Sequence, residues 1–465
     1  MGASVSRDAV MDRGVAMPVA APALPARKDS FEKTPGDAML VTLGPMRGLT
    51  PAAVRRFGFA REEPEFLIRR RLRALAAYDS LPMPGRDDEA WRRVRLSGLH
   101  LGDPFAHPGS DGALDLSPTA SHGVFWDDIR WAARAQPELL DSSFATEVYP
   151  CGETGGARRQ GGKFHALNQA LFDGGYVLHV PRGLKQRSAV RAAFRTPTGA
   201  VKLIPHNLVL LEEEAEATLI EEYGPSTQGL CLAQTEIILR PGASLRYILI
   251  QDSGPEAKYI GAHRVKLGRG ARLTFASAHL GAAISKTFVE VDLSQPEADA
   301  QLYGLYFGGG RQQTHLDTWQ HHRAPECRSD LRFKGVLDQN AYAAYRGMIR
   351  LEPGAQHTDA YQQNRTLLLS TDACVHSIPG LEINANDVRC THGATAGQVD
   401  PEMLFYLRSR GLTQAQARKA IVEGFFQDIL PPFRAPEVAK LLGDELGELL
   451  AARLEGGNGK PEGSP

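Results

Sequence analysis

What the chain lacks narrows its function before anything it contains. It has only five cysteines (Cys151, Cys231, Cys327, Cys374, Cys390), an odd number without a regular spacing. A disulfide scaffold is therefore not expected, and reduced thiols in a cytoplasmic protein are. No run of 18 apolar residues occurs, and the N-terminal stretch has no continuous apolar segment, so neither a membrane span nor a secretory signal is expected. Charge of one sign is also missing. With 53 Lys and Arg against 54 Asp and Glu, the net charge is -1, without the cationic excess that phosphate neutralisation requires; proteins and small ions are the expected partners, not nucleic acid or an anionic membrane. There is no Gly-x-Ser-x-Gly elbow and no His-Glu-x-x-His pair. The stretch Gly156 to Lys163 misses the phosphate-binding loop by one position, with Phe164 where a Ser or Thr would hold magnesium, so no nucleotide is expected to bind this chain.

What is present is an ordinary globular composition over 465 residues, 42% hydrophobic and 23% charged, enough for two or three domains. Residues 1–40, rich in Ala and Pro without periodicity, read as a disordered leader, and 456–465 as a disordered tail. Residues 41–163 read as an N-terminal helical region and connection. Thr50-Pro51 is a helix start, Ile68, Leu72 and Leu75 share one side, and a further helix is expected through Trp126 to Ala135.

Residues 164–397 carry a repeat. Leu211-Glu-Glu-Glu-Ala215, Leu239-Arg-Pro-Gly-Ala243, Leu267-Gly-Arg-Gly-Ala271, Leu293-Ser-Gln-Pro-Glu297, His322-Arg-Ala-Pro-Glu326 and Leu351-Glu-Pro-Gly-Ala355 follow at offsets of 28, 28, 26, 29 and 29 residues. In-phase turns flanked by strand-like runs such as Ser244 to Gln251 predict stacked rungs, a mainly β chain with a parallel β-helix core. A β-sandwich with evenly spaced turns is the competing architecture. Val180-Pro-Arg-Gly183 and Ile378-Pro379-Gly380 are expected to extend the repeat at its two ends.

Residues 398–455 read as helical again. Asp400-Pro401 and Thr413 are start signals, Gly411 a stop, Pro431-Pro432 another, and a last amphipathic helix is expected over 436–454. Ile421, Phe425 and Ile429 recur every four residues, a stripe that either packs inside the domain or docks a partner.

The chemistry-bearing residues sit just before these helices. Cys390 and His392 are two apart and on an extended backbone project from one face, as two ligands of one site must. A thiolate and an imidazole suit iron or zinc, but spacing alone fits equally a packed cysteine and a satisfied histidine. A second pair, Cys374 and His376, would complete a tetrahedral zinc site if all four converged. His315, Asp317, His321 and His322 read as a satisfied polar ladder along the solenoid. A carbohydrate-active β-helix enzyme would need clustered carboxylates on one face, and the sequence shows no such cluster.

Three blocks, THLDTWQHHRAPECRSDLRFKGVL, YRGMIRLEPGAQHTDAYQQNRTLLLS and LEINANDVRCTHGATAGQVDPEMLFYLRSRGL, resemble the SufB/SufD family, the scaffold of SUF-system iron-sulfur cluster assembly. The likeness is close from about Phe164 to Leu430. Cys-Thr-His-Gly-Ala-Thr at Cys390 to Thr395 and the following LFYLRSRG are similar to the SufD type. The resemblance implies a right-handed parallel β-helix and a non-catalytic scaffold subunit. It also implies a heterodimer with a SufB-like subunit through the β-helix ends, and C-terminal helices that dock a SufC-like ATPase. Sulfur would come from a separate cysteine desulfurase. His392 matches the histidine proposed to face the partner where the nascent cluster forms, and Cys390 its neighbour on the same strand. The alternatives from other classes are the β-helix carbohydrate-active enzyme and a zinc-stabilised interaction module.

Overall fold

The Thr50 hydroxyl accepts a hydrogen bond from the Ala53 amide and Pro51 occupies the first turn, so the first helix begins where the sequence predicts. The computed structural model describes residues 49–84, 88–94, 113–118, 120–148, 162–195, 202–224 and 229–436, with short pieces at 41–42, 104–105, 438, 447–448 and 451. The expected leader and tail, most of the expected helix over 436–454, and Cys151 lie outside the described residues.

Strand β1 (Val41–Thr42) is followed by helices α1 (Pro51–Ala60) and α2 (Glu65–Ser80), and β2 (Pro104–Phe105) pairs antiparallel with β1. Then come β3 (Leu114–Ser117), β4 (Phe125–Asp128), α3 (Ile129–Ala135), α4 (Pro137–Ser143) and α5 (Lys163–Leu171). The helix expected through Trp126 is half strand: Trp126 pairs antiparallel with Leu178, and the helix starts only at Ile129, where the Asp128 carboxylate caps the Arg130 amide. The N-terminal helices cover one outer wall of the strand core. Trp91, Phe144, Phe164 and Phe172 bury Leu208, Leu210, Leu232 and Ile260. Arg71, itself fully buried, is held by Glu63 at 2.6 Å and lies over the Phe172 ring.

Two parallel walls make up the core. One contains β5 (Tyr176–Val180), β8 (His206–Leu211), β10 (Leu230–Leu239), β12 (Lys258–Leu267), β14 (Ile284–Leu293), β16 (Gln313–His322), β18 (Tyr342–Leu351) and β20 (Cys374–Ile383), with β7 (Lys202–Leu203) beside β10. The other contains β6 (Val190–Phe194), β9 (Glu216–Tyr223), β11 (Ser244–Gln251), β13 (Arg272–His279), β15 (Asp299–Gly308), β17 (Arg328–Leu337), β19 (Asp359–Leu368) and β21 (Arg389–Gln398). β5 pairs in parallel with β8 and β6 with β9, and from β8 to β19 each strand pairs in parallel with the strand two further along. The fold is thus a parallel β-solenoid, and the all-parallel register overturns the sandwich alternative, whose sheets are antiparallel.

The repeat seen in the sequence is the corner between the walls. Glu214, Gly242, Gly270, Glu297, Glu326 and His357 take positive φ there. In that conformation the amide of each points to a carbonyl of the next corner, as in Glu214 N–H to Pro241 O at 3.0 Å and His357 N–H to Asp387 O at 2.7 Å. Gly183 does the same at the first turn, bonding to Glu213 O, so Val180 to Gly183 extends the repeat as expected. Ile378-Pro379-Gly380 does not. It lies within β20, opposite Arg346, Gly347 and Met348, and the last corner falls after Ile383. Pro379 is tolerated in a strand because β20 is an edge.

Alternate side chains fill the interior, with Leu and Ala the most numerous and Val and Tyr next. One buried polar group is satisfied by several neighbours: the Glu221 carboxylate accepts from Tyr176, from Tyr223 at 2.7 Å and from Thr235 at 3.0 Å, and burial raises its pKa. Beyond the solenoid come α6 (Pro401–Ser409) and α7 (Gln414–Phe426). Asp400 caps the first, Gly411 follows it at φ +93°, and Thr413 and Gln416 form a reciprocal capping box on the second. Helix α7 and the residues after it pack Val422, Phe426, Ile429 and Phe433 on the second wall, against Ile248, Ala278 and Phe307 among others.

Candidate functional site

In the solenoid each turn covers the inward side chains of the turn before it, and among the described residues β20 and β21 have no successor. The consequence is visible position by position. In β19 the inward Ala360, Gln362, Asn364 and Thr366 are buried, whereas their register partners Cys390, His392, Ala394 and Ala396 in β21 are half-buried or exposed. Cys390 and His392 therefore share one face, as their spacing predicts, and that face is the inner one, opened to solvent at the end of the solenoid.

Cys390 rests against the small apolar layer of Ile349, Leu351, Ala355 and Ala360, with Leu381 and Val388 beside it. Burial pushes its thiol up to about 11, so at neutral pH it carries a proton that an incoming metal would have to displace. His392 stands exposed over Gln362. Among the described residues no three potential ligands gather in one place. Two donors from this end would leave the remaining positions of any metal cargo to donors from elsewhere.

Cys374 and His376 lie apart from this. They stack over Tyr342 and Ala344 on the outer face of the first wall, with Cys374 Sγ 3.9 Å from His376 Nε2. Cys374 lines a polar cleft of about 540 Å³ with Arg93, Arg311 and Asp372. The two Cys-x-His pairs thus occupy different walls and opposite faces, and the four-ligand zinc site does not form. The satisfied-ladder reading holds for Asp317, His321 and His322 but not for His315, whose Nε2 is buried without a hydrogen-bond partner. Asp317 accepts from Lys286 and Arg346, His321 pairs with Glu352 at 2.8 Å, and His322 turns inward to Ser329 at 2.8 Å. Wall carboxylates are engaged by cations, Glu290 by Arg264 at 2.6 Å as well as Asp317, an arrangement unlike a glycosidase pair.

Of the expected docking stripe, Ile429 is fully buried and belongs to the intradomain core, Phe425 is half-buried on the same wall, and Ile421 is half-exposed. Spacing alone left core and docking open, and the resemblance implied docking for all three; burial overturns that for Ile429, which belongs to the core. The exposed apolar surface is on α6 instead, which has no buried residue. Met403, Phe405 and Tyr406 are 51%, 73% and 55% exposed. The signal for it was the run Met403 to Leu407. Five consecutive apolar residues on a short helix call for cover on more than one side.

Residues 194–425 match the family described as SUF system FeS cluster assembly, SufBD core domain. An iron-sulfur cluster assembly SufBD family protein of Mycobacterium leprae is 28% identical over 387 residues, covering 80% of this chain and 92% of that protein. One from Staphylococcus saprophyticus is 25% identical over 453 residues, covering 89% and 94%, and one from Synechocystis 26% over 403 residues, covering 79% and 88%. The matched segment spans the solenoid from its second strand to the helix packed on its wall, and the chain belongs to the SufBD family of iron-sulfur cluster assembly proteins.

Proposed function

We propose that this chain is a non-catalytic, SufD-like scaffold subunit that holds nascent iron-sulfur clusters at the open end of its solenoid, facing a SufB-like subunit in a heterodimer. One observation carries the reading: Cys390 and His392 sit on the inner face of the last turn, where the absence of a further rung leaves them open to a partner and insufficient in number to hold a cluster alone. A cluster made for transfer is best held by few, exchangeable ligands at an interface. The cluster is cargo, and this chain contributes two donors and the surface around them.

A SufC-like ATPase would dock on the C-terminal helices, using the Met403, Phe405 and Tyr406 face of α6 with the half-exposed Ile421 and Phe425 of α7. A cysteine desulfurase would supply sulfur, and the complex would work in the cytoplasm. No helix among the described residues is long and apolar enough to cross a membrane.

Anaerobic co-purification with the SufB-like and SufC-like proteins of the source organism, followed by iron and sulfide analysis, tests both surfaces. His392→Ala should leave the complex assembled and lower its cluster content; loss of the complex would defeat the ligand role. Phe405→Asp should leave the fold intact, because the side chain is 73% exposed, and weaken ATPase capture by about 30-fold or more, the effect of removing an aromatic anchor. Wild-type capture by Phe405→Asp would remove α6 from the docking surface.

A further inference from the structure

The inward column that ends at His392 changes character at one point. Read up the second wall it runs Leu219, Tyr247, Phe275, Leu302, Leu331, then Gln362 and His392. Five apolar or aromatic side chains give way to an amide in the turn directly below the open end. Gln362 is fully buried, and neither its Nε2 nor its Oε1 has a hydrogen-bond partner. Burying such a group is unfavourable, and the five preceding turns show that an apolar side chain fits this column.

The opposite wall is shaped around it. The Gln362 amide reaches across the interior to Gly347, where a methyl group would come within 2.4 Å of Nε2. Gly347 is overlain in the last turn by Pro379, as Gln362 is overlain by His392. Neighbouring polar groups are paired: Asn364 donates to Ser377 Oγ at 2.9 Å, and the Tyr306 hydroxyl meets Thr366 Oγ1 at 2.6 Å. Gln362 alone of these is left with unused donors, one layer beneath the proposed donor set, in a space that Gly347 keeps clear.

We infer that the Gln362 side-chain amide is a hydrogen-bond donor to the cargo, its Nε2 directed to a sulfide or thiolate sulfur of a cluster held at Cys390 and His392. The inference rests on the proposed scaffold function. Hydrogen bonds to sulfur stabilise the charge of an iron-sulfur centre and raise its reduction potential, and residues behind the ligands orient what the ligands hold. A neutral amide suits a transfer site because it adds retention without adding a bond to iron.

The test compares wild type, Gln362→Leu and His392→Ala in the co-purified complex. It follows loss of the visible cluster absorbance on adding an iron chelator, and measures the reduction potential of the cluster and the thermal unfolding of the cluster-free chain. Leucine continues the column of the turns below, so the variant should fold, and its cluster-free form should be at least as heat-resistant as wild type. The cluster should be lost about tenfold faster, the consequence of removing one hydrogen bond to a charged group, and its potential should fall. Should the leucine variant not fold, Gln362→Met, of closer shape, replaces it. Wild-type lifetime and potential in Gln362→Leu, with a shortened lifetime in His392→Ala, would overturn the inference and leave the site standing. Wild-type behaviour in both variants would overturn the site as well.

Discussion

Lowering the pH from 7 to 5 is expected to unfold the cluster-free protein. Five imidazoles, those of His165, His263, His279, His315 and His322, are held neutral by burial, which lowers the pKa of each to about 3. An unfolded histidine titrates near 6.5. Between those values the unfolded chain binds more protons than the folded one. The stabilisation is complete above about pH 6.5 and is lost as pH falls towards 3. At pH 5 the loss is about 2 kcal/mol for each histidine, and five such losses, on the order of 10 kcal/mol, match the whole stability of a typical domain.

Other groups act in the same window. His206, paired with Glu236 at 2.7 Å, is also lowered by burial and adds to the loss. Asp173, Glu221 and Glu290 have raised pKa values, so each favours the folded state as pH falls and opposes it. Burial lowers His179 and His321 as well, and three carboxyls against eight imidazoles leave acid destabilising. Thermal unfolding followed by circular dichroism at pH 7.5, 6.5, 5.5 and 5 should show a steep fall in Tm below pH 6.5. A flat profile to pH 5 would mean that these imidazoles are not held neutral by the fold.

The second large effect is expected at Gly335. Adjacent turns of the second wall alternate large and small residues: Gly304 pairs with Phe333, and Tyr306 with Gly335. A Cβ at Gly335 would lie 1.9 Å from the Tyr306 ring, and one at Gly304 would lie 2.2 Å from Phe333. Neither ring can move aside, since both are buried in a wall of fixed register. Gly335→Val should destabilise by about 3 kcal/mol or more, seen as a lower urea midpoint or as insoluble expression. Gly335→Ala should do the same to a smaller degree, and Tyr306→Leu placed in that background should restore part of the loss by removing the ring, a coupling that only residues in contact show. A wild-type midpoint for Gly335→Ala would contradict the close packing.

Which features could be read from the sequence depended on how local their causes are. The corners could be, because a left-handed residue recurs at nearly constant spacing with its strand ends fixed around it, from Gly183 to His357. The last corner was missed because 32 residues separate Leu351 from its partner Ile383, and Ile378-Pro379-Gly380 looked more like a turn than the Asn384 to Asp387 segment that makes it. Trp126 was misread because its strand exists only through pairing with Leu178, far along the chain. The shared face of Cys390 and His392 follows from spacing, but its exposure follows from the missing next turn, which no local pattern encodes. Ile429, expected at a docking surface, lies in the core because burial is decided by the wall beneath it and not by helix period. Gln362 gave no signal, since its meaning depends on Gly347 across the interior.

The two ends of the solenoid are unlike, and this sets how many neighbours can add to it strand on strand. At the first turn the walls are closed by the antiparallel strands β3 and β4, four residues each, beside the N-terminal helices. Short covered edges of this kind resist further pairing. At the last turn both walls end in ten-residue strands with free backbone groups. A stack of rungs bare at both ends would add copies head to tail without limit, the geometry of a fibre. With one bare end among the described residues, one strand-on-strand union would satisfy both edges and end that growth, while other surfaces stay free for other neighbours.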